Sequence, residues 1–386
     1  MTVAPDVRAA MNTVEQHAHA AADASGDTAL PSGHGGANGL FRLARWRNLD
    51  GRPSLKTRAG SQHRLAHIEY MRGLAALAVM WFHFTVANDD CPPGLLKVSG
   101  QYGYLGVDVF FVISGFIIPY AMAASGYRLR TDGLRFFFAR IVRLEPPYLA
   151  SVMLCVALPY AAYLTPWSRA ILPHVEFRDV LLHVAYLVPW VNGAQWLNAA
   201  YWTLAIEFQY YILMLFTASA LISRSQWTAR LFLLGALAAA FYLGGDSRLV
   251  FCYLPLFGFG FTTFLWFERR LHWVEVALWT AAFAAVCART VGTDDMLSGL
   301  LGSALILAPW PRNLRLLSLA GSLSYSLYLL HNPIGGRVFT LVERLPARPV
   351  IQITGIAIAV LASLLAAYVF HALMEAPSMR AARQIK

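Results

Sequence analysis

The chain has 386 residues, of which 58% are hydrophobic and 13% charged, with 31 Lys and Arg against 21 Asp and Glu for a net charge of +10. Soluble domains run at about 45–50% apolar and about 25% charged residues, so most of this chain is expected to face lipid or other apolar helices, as an all-α integral membrane protein. The basic residues sit in short clusters between apolar runs rather than along one surface, which argues against a nucleic-acid partner and for loops at a membrane face.

Residues 1–65 are rich in Ala, Gly, Ser, His and Asp and turn basic from Arg42 to Arg64. They read as a disordered basic cytoplasmic tail without a signal-peptide core. His17, His19 and His34 within it read as solvated linker residues. A membrane domain is expected over 66–377, followed by a basic cytoplasmic end at 378–386.

The apolar segments come at about 68–88, 104–123, 146–164, 201–222, 229–244, 250–267, 273–290, 297–310, 318–335 and 349–372. Each approaches the ~20 residues that cross a bilayer, which makes about ten transmembrane helices. Val180 to Trp190 is too short to cross and suits a re-entrant or interfacial helix. With the tail inside, alternate connections carry Arg128, Arg130, Arg135, Arg140 and Arg143, then Arg224 and Arg230, Arg269 and Arg270, Arg312 and Arg315, and finally Arg380, Arg383 and Lys386. The opposite loops hold Asp89, Asp90, Asp246, Asp294 and Asp295, although the last one carries Arg337, Arg344 and Arg348. The positive charges therefore favour ten spans with both termini cytoplasmic. Cys91, Cys155, Cys252 and Cys287 lack any CxxC or His-linked spacing and read as small apolar residues, with no metal site and no disulfide.

Ionisable groups inside spans cost several kcal/mol unless partnered, so each is a functional candidate. In the first span Arg72 and His83 lie three helical turns apart, about 16 Å along one face. The second span runs Gly103-Tyr-Leu-Gly-Val-Asp-Val-Phe-Phe-Val-Ile-Ser-Gly-Phe116 and buries Asp108 above the small residues Ser114 and Gly115, which also suit close helix packing. The fourth span places Glu207 at a depth matching His83, where the two form an acid/base pair if their helices are neighbours. The ninth span aligns Ser324, Tyr328 and His331 in one stripe. Ahead of the third span, Arg140 and Arg143 lie one turn apart and suit either phosphate binding or headgroup anchoring. Trp190, Trp196, Tyr201 and Trp202 cluster near the expected outer mouth, fit either for stacking on a sugar ring or for a bilayer interface.

Taken together, Arg72-x10-His83, the Gly103–Phe116 run, Arg140-x-x-Arg143, Trp202-Thr-Leu-x-x-Glu207, Ser324-Tyr-Ser-Leu-Tyr-Leu-Leu-His331 and a loosely fitting Glu375-Ala-Pro377 resemble acyltransferase family 3, the bacterial membrane O-acyltransferases. The resemblance runs from about His67 to Pro377. It implies a ten-helix core in the bacterial inner membrane that moves an acyl group, acetyl by default, from acyl-CoA as co-substrate to a hydroxyl of a carbohydrate acceptor, with no bound cofactor. It places the catalytic role on His83 and the CoA phosphates on Arg140 and Arg143. Read from the residues themselves, Glu207 or Asp108 is expected to orient His83, Arg72 or Tyr328 to donate to developing negative charge, and His331, Tyr328 and Trp202 to bind substrate; direct attack on the thioester and a covalent acyl-histidine relay across the membrane both fit. No soluble module is expected after the tenth span, so the two-domain members are not the guide. A lipid or macrolide-like acceptor fits the same residues. A transporter of a glycan or small metabolite is the reading from another class, since buried His, Glu and Arg also mark transport paths. It lacks the internal repeat such proteins commonly show.

Overall fold

A computed structural model gives the fold and describes residues 55–89, 91–165, 175–223, 225–311, 313–346 and 348–385, with side chains from His67 onward. His17, His19, His34, Asp90, Arg224 and Arg312 lie outside these residues. Apart from the first four residues of the first helix, every feature below belongs to the unit Ala59–Lys386.

The described residues are helical and contain no strand. Ten helices of fifteen residues or more follow in chain order: α1 Leu55–Thr85, α2 Gly106–Ser125, α3 Leu129–Tyr163, α4 Tyr201–Leu221, α5 Gln226–Leu243, α6 Val250–Phe267, α7 Trp273–Thr290, α8 Thr293–Leu307, α9 Arg315–Val342 and α10 Pro349–Phe370. Each overlaps one of the ten expected segments, with ends that differ in most of them. Six are long and apolar enough to cross a membrane by length and composition: α2 with the turns before it, α3, α4, α5, α6, and α10 with its continuation to Gln384. Of the other four, α8 has only 15 residues. The remaining three are diluted by polar side chains, Glu69, Arg72 and His83 in α1, Glu275 and Arg289 in α7, and a run of serines with His331, Asn332 and Arg337 in α9.

Two helices extend beyond their apolar stretch. α1 starts at Leu55, and α3 starts at Leu129, so the Arg-rich segment before the third apolar run is the first half of one 35-residue helix. The turn between α2 and α3 is set by Gly126, left-handed at φ 69°, while the Tyr127 amide reaches back to Met122 O at 3.0 Å. The Val180–Trp190 segment is an eight-residue helix, Phe177–Val184, and one 3₁₀ turn, Val188–Trp190. At 1.5 Å per residue it is about 12 Å long and cannot cross.

α6 sits at the middle of one group, packed by α2, α4, α5, α7 and α8. Gly115 of α2 and Gly260 of α6 face each other at this crossing. A Cβ on Gly115 would run into the Phe257 carbonyl, and one on Gly260 into the Val112 carbonyl, so the small residues here serve close approach. α3, α4, α9 and α10 share a second apolar cluster, and α1, α9 and α10 share a third. The polar residues of α1, α2, α3, α4 and α9 meet between these clusters.

Candidate active site

One end of this interior is built from arginines. A vestibule of about 590 Å³ is lined by Arg72, Arg135, Arg140, Arg143 and Arg383, with Glu69, Asp132 and Glu375 as the acidic members. Arg140 lies over two rings, Phe136 at 5.3 Å and Tyr211 at 5.5 Å from centroid to guanidinium carbon, which holds the cation flat without consuming its N–H donors. Glu375 ends a single π-helical turn, His371–Glu375, between α10 and a terminal helix Ala376–Gln384. Its Oε2 accepts from Ser326 Oγ at 2.6 Å and from His371 Nδ1 at 3.0 Å. In the sequence Glu375 stands only as the start of the closing Glu375-Ala-Pro377 motif. Its signal was a carboxylate at the close of an apolar helix, just before Pro377.

Arg72, Arg140 and Arg143 also line an inner cavity of about 230 Å³, so they stand where vestibule and interior meet. Besides the arginines, the polar lining of this cavity is Ser114, Thr203, Glu207, Tyr211, Ser324, Tyr325 and Tyr328. Glu207 accepts from the Tyr211 hydroxyl one turn along α4, and from Ser114 Oγ of α2 at 3.4 Å. Ser324 Oγ is fully buried and has no protein partner. A side pocket of about 20 Å³, room for one water, lies between Arg140, Glu145 and Glu207, and the buried Glu145 Oε2 is likewise unpartnered. Ser324 belongs to the stripe expected in the ninth span but carries no assigned role there, and Thr203, Tyr211 and Tyr325 are not among the expected site residues. Thr203, Glu207 and Tyr211 nonetheless recur every four residues on one face of α4, a stripe the sequence already carried.

Farther along, Tyr328 Oη lies 2.6 Å from Thr203 Oγ1. Both hydroxyls reach Ala200 O, Thr203 Oγ1 at 3.0 Å and Tyr328 Oη at 3.2 Å, so one donates to that carbonyl and accepts from the other. In either arrangement the Tyr328 proton is committed within this trio, contrary to the expectation of a free donor to developing charge. Val79, Val107, Phe110 and Ala200 pack around Tyr328 into a small apolar plug at this end of the cavity.

Next to the plug stand two histidines from helices remote in sequence. His331 Nε2 lies 3.2 Å from His83 Nδ1, the ring centroids being 5.0 Å apart. His331 Nδ1 lies 3.0 Å from Leu327 O, and His83 Nδ1 lies 2.9 Å from Val79 O. A carbonyl oxygen only accepts, so both Nδ1 atoms carry hydrogen in the neutral rings, an assignment made from the bonding network. The one hydrogen on His83 Nδ1 is then shared between Val79 O and His331 Nε2, and among the described residues His83 Nε2 has no partner, which leaves a free lone pair on a half-buried ring. Asn198 braces this end by donating to Leu329 O at 3.1 Å and accepting from Asn332 Nδ2 at 2.9 Å. His183 is not reactive in the same way: its Nδ1 donates to Asp179 O at 2.7 Å and its Nε2 accepts from the Leu197 amide at 3.2 Å, so both nitrogens are spent.

Three expectations are corrected. Glu207 does not pair with His83; its bonds go to Tyr211 and Ser114, on the arginine side. α1 ends at Thr85 rather than near residue 88, which leaves His83 only two residues, about 3 Å, from the helix end while Glu207 lies six residues, about 9 Å, below the start of α4. Asp108 is buried but sits beside Ser298 and Asp295 of α8, lines neither cavity, and leaves Oδ2 unpartnered, so it does not orient His83. Trp202 is packed against Tyr253 at 5.3 Å and Phe111 at 6.5 Å between ring centroids, within the α6 group rather than at a mouth.

Among curated proteins the chain is similar to the O-acetyltransferase OatA of Staphylococcus aureus strains NCTC 8325 / PS 47 and COL, with 26% identity over 212 residues in each case. Each match covers 50% of this chain and 32% of the relative, so it spans about a third of the relatives' length. No solved structure matches the chain. The model of the acyltransferase 3 family, described as an acyltransferase domain, matches residues 65–372, and with that coverage the chain belongs to this family and is a transferase enzyme.

Proposed function

We propose that the protein is a membrane-embedded O-acyltransferase of the bacterial inner membrane, with ten spans and both termini cytoplasmic, that moves an acetyl group from acetyl-CoA to a hydroxyl of a cell-envelope or exported carbohydrate. The observation that carries the reading is the pair of unlike ends. Three arginines fit for phosphate face one end of an interior cavity, and an imidazole with a free Nε2 lone pair stands beyond the other. Arg72 and His83 are separated by about 16 Å along α1. An extended pantetheine arm has the length of about four residues of chain, or roughly 14 Å, so a nucleotide held at the arginines delivers its thioester near the histidines. The arm lies in the inner cavity, where Ser324 Oγ and Ser114 are available to its amides, and the thioester passes the Tyr328 plug.

In the reaction His83 Nε2 takes the proton of the acceptor hydroxyl as that oxygen attacks the thioester carbonyl. The tetrahedral adduct collapses with cleavage of the C–S bond, and the departing thiolate recovers the proton from His83. The imidazolium formed in between is supported by the bond from its Nδ1–H to His331 Nε2. A neutral imidazole thus occupies the place that a carboxylate holds in hydrolase triads. Arg72, the cation nearest the cavity on α1, offsets charge on the way. The acetyl group is supported by the names of the relatives, the carbohydrate by the aromatic residues Trp190 and Trp196 beside the bracing loop.

The test is to incubate the purified protein with radiolabelled acetyl-CoA and fractionated cell-envelope glycans and to follow the label. Label in glycan is expected. Label in lipid would move the acceptor to the lipid class, and label in neither would contradict the proposal in favour of a transporter.

A further inference from the structure

The vestibule holds five arginines, yet only Arg72, Arg140 and Arg143 are shared with the inner cavity. Arg135 precedes Arg140 by five residues on α3, about 7.5 Å farther from the interior along the axis. Arg383 reaches the same vestibule from the terminal helix. The two are tied together, because Arg135 Nε donates to the carbonyl of Ile385, two residues beyond Arg383, at 3.4 Å.

Neither cation is strongly neutralised by the described residues. Arg135 meets Asp132 Oδ1 at 4.0 Å in a partly exposed pair, and such pairs bind weakly. The other carboxylate oxygen, Oδ2, accepts from the Arg128 amide at 2.8 Å and Thr131 Oγ1 at 3.0 Å, so Asp132 is held by its own turn. Among the described residues Arg383 makes no ion pair. Of the two other vestibule carboxylates, Glu375 is held by Ser326 and His371, and Glu69 accepts from Ser318 at 3.4 Å.

We infer that Arg135 and Arg383 form a second anion site that takes the ribose 3′-phosphate of the acyl-CoA, outside the arginine trio that takes its diphosphate. The assignment rests on the acyl-CoA reading above. Coenzyme A carries phosphate at two places one ribose apart, a diphosphate on the pantetheine side and a monoester on the ribose. A phosphate monoester carries close to two charges at neutral pH and presents three acceptor oxygens, which suits the forked donors of arginine. Two arginine groups set in succession along one cavity match that spacing of charge. A lipid headgroup phosphate has the same chemistry, and rim arginines also anchor at headgroups. Arg380 supplies the contrast, since it is exposed on the same terminal helix but does not line the vestibule.

The full chain, purified with lipid, is assayed for KM with acetyl-CoA and with 3′-dephospho-acetyl-CoA, as wild type and as R135Q, R383Q and R380Q. The expected wild-type KM is about tenfold or more higher for the dephospho donor, the factor equivalent to about 1.4 kcal/mol. In R135Q and R383Q the ratio falls to within about twofold because KM for acetyl-CoA rises, and R380Q keeps the wild-type ratio. A wild-type ratio near one, with brisk transfer, overturns the second site and leaves the acyl-CoA reading standing. An R380Q ratio that falls like the other two overturns it in favour of headgroup anchoring. Absence of transfer from both donors overturns the acyl-CoA reading and this assignment with it.

Discussion

Helix α6 is largely buried and α9 is buried through most of its middle, Gly321–His331, and both carry hydroxyls there, but they use them differently. In α6 the buried polar residues Thr262 and Thr263 donate to carbonyls one turn back in their own helix, Gly258 O at 2.9 Å and Phe259 O at 2.8 Å. In α9 the buried polar residues reach other helices: Ser326 to Glu375, Tyr328 to Thr203, His331 to His83, while Ser324 reaches nothing. A hydroxyl satisfied by its own helix leaves that helix free to rotate against its neighbours. A bond that crosses fixes rotation and depth, and it is retained where the groups themselves are needed. α6 is accordingly a hub that holds α2, α4, α5, α7 and α8 through apolar area and close glycine contacts, and α9 is a wall of the site.

The contrast can be sharpened at the arginine end. Replacing Arg140 and Arg143 together by alanine is expected to raise KM for acyl-CoA by about 10²–10⁴-fold with kcat little changed, since hydrogen bonds to a charged group contribute about 1.5–3 kcal/mol each and each 1.4 kcal/mol is tenfold. An unchanged KM would return both arginines to a headgroup-anchoring role. At the histidine end, His331→Phe keeps a ring in place but removes the acceptor for His83 Nδ1–H. It is expected to lower kcat about 10-fold, to leave KM for acyl-CoA within about twofold, and to change the pH profile of kcat; a loss of folded protein with an unchanged profile would make His331 a packing residue only. The smallest effect is expected at Asp108. Because it faces α8 and lines neither cavity, Asp108→Asn should leave kcat and KM within about twofold, and a loss of an order of magnitude would restore it to the chemistry.

Much of the fold was legible because hydropathy reports directly which stretches suit an apolar surrounding. The expected segments 250–267 and 273–290 match α6 and α7 residue for residue. The missed parts are those where a helix leaves apolar surroundings. The first 17 residues of α3 carry Arg130, Arg135, Arg140 and Arg143 and read as a connection, although the helix runs through them to build the vestibule. Of the site, residue types and single-helix stripes were legible: Arg72 with His83, Arg140 with Arg143, and Tyr328 with His331. Pairing across helices was not. His83 and His331 are 248 residues apart, and no periodicity relates the rotation of α1 to that of α9. The same gap led Glu207 to be matched to His83 by depth alone, although its rotation on α4 turns it to Tyr211, Ser114 and the arginines.

The central claim is that His83 Nε2 accepts the acceptor's proton. It is tested most directly by single-turnover transfer of labelled acetyl from acetyl-CoA, comparing wild type with a His83→Ala variant of wild-type helicity and membrane insertion. The expected result is loss of transfer by about 10³-fold or more with acetyl-CoA still bound, consistent with removal of a general base whose contribution is about 10²–10⁴-fold. Wild-type transfer by that variant would contradict the account.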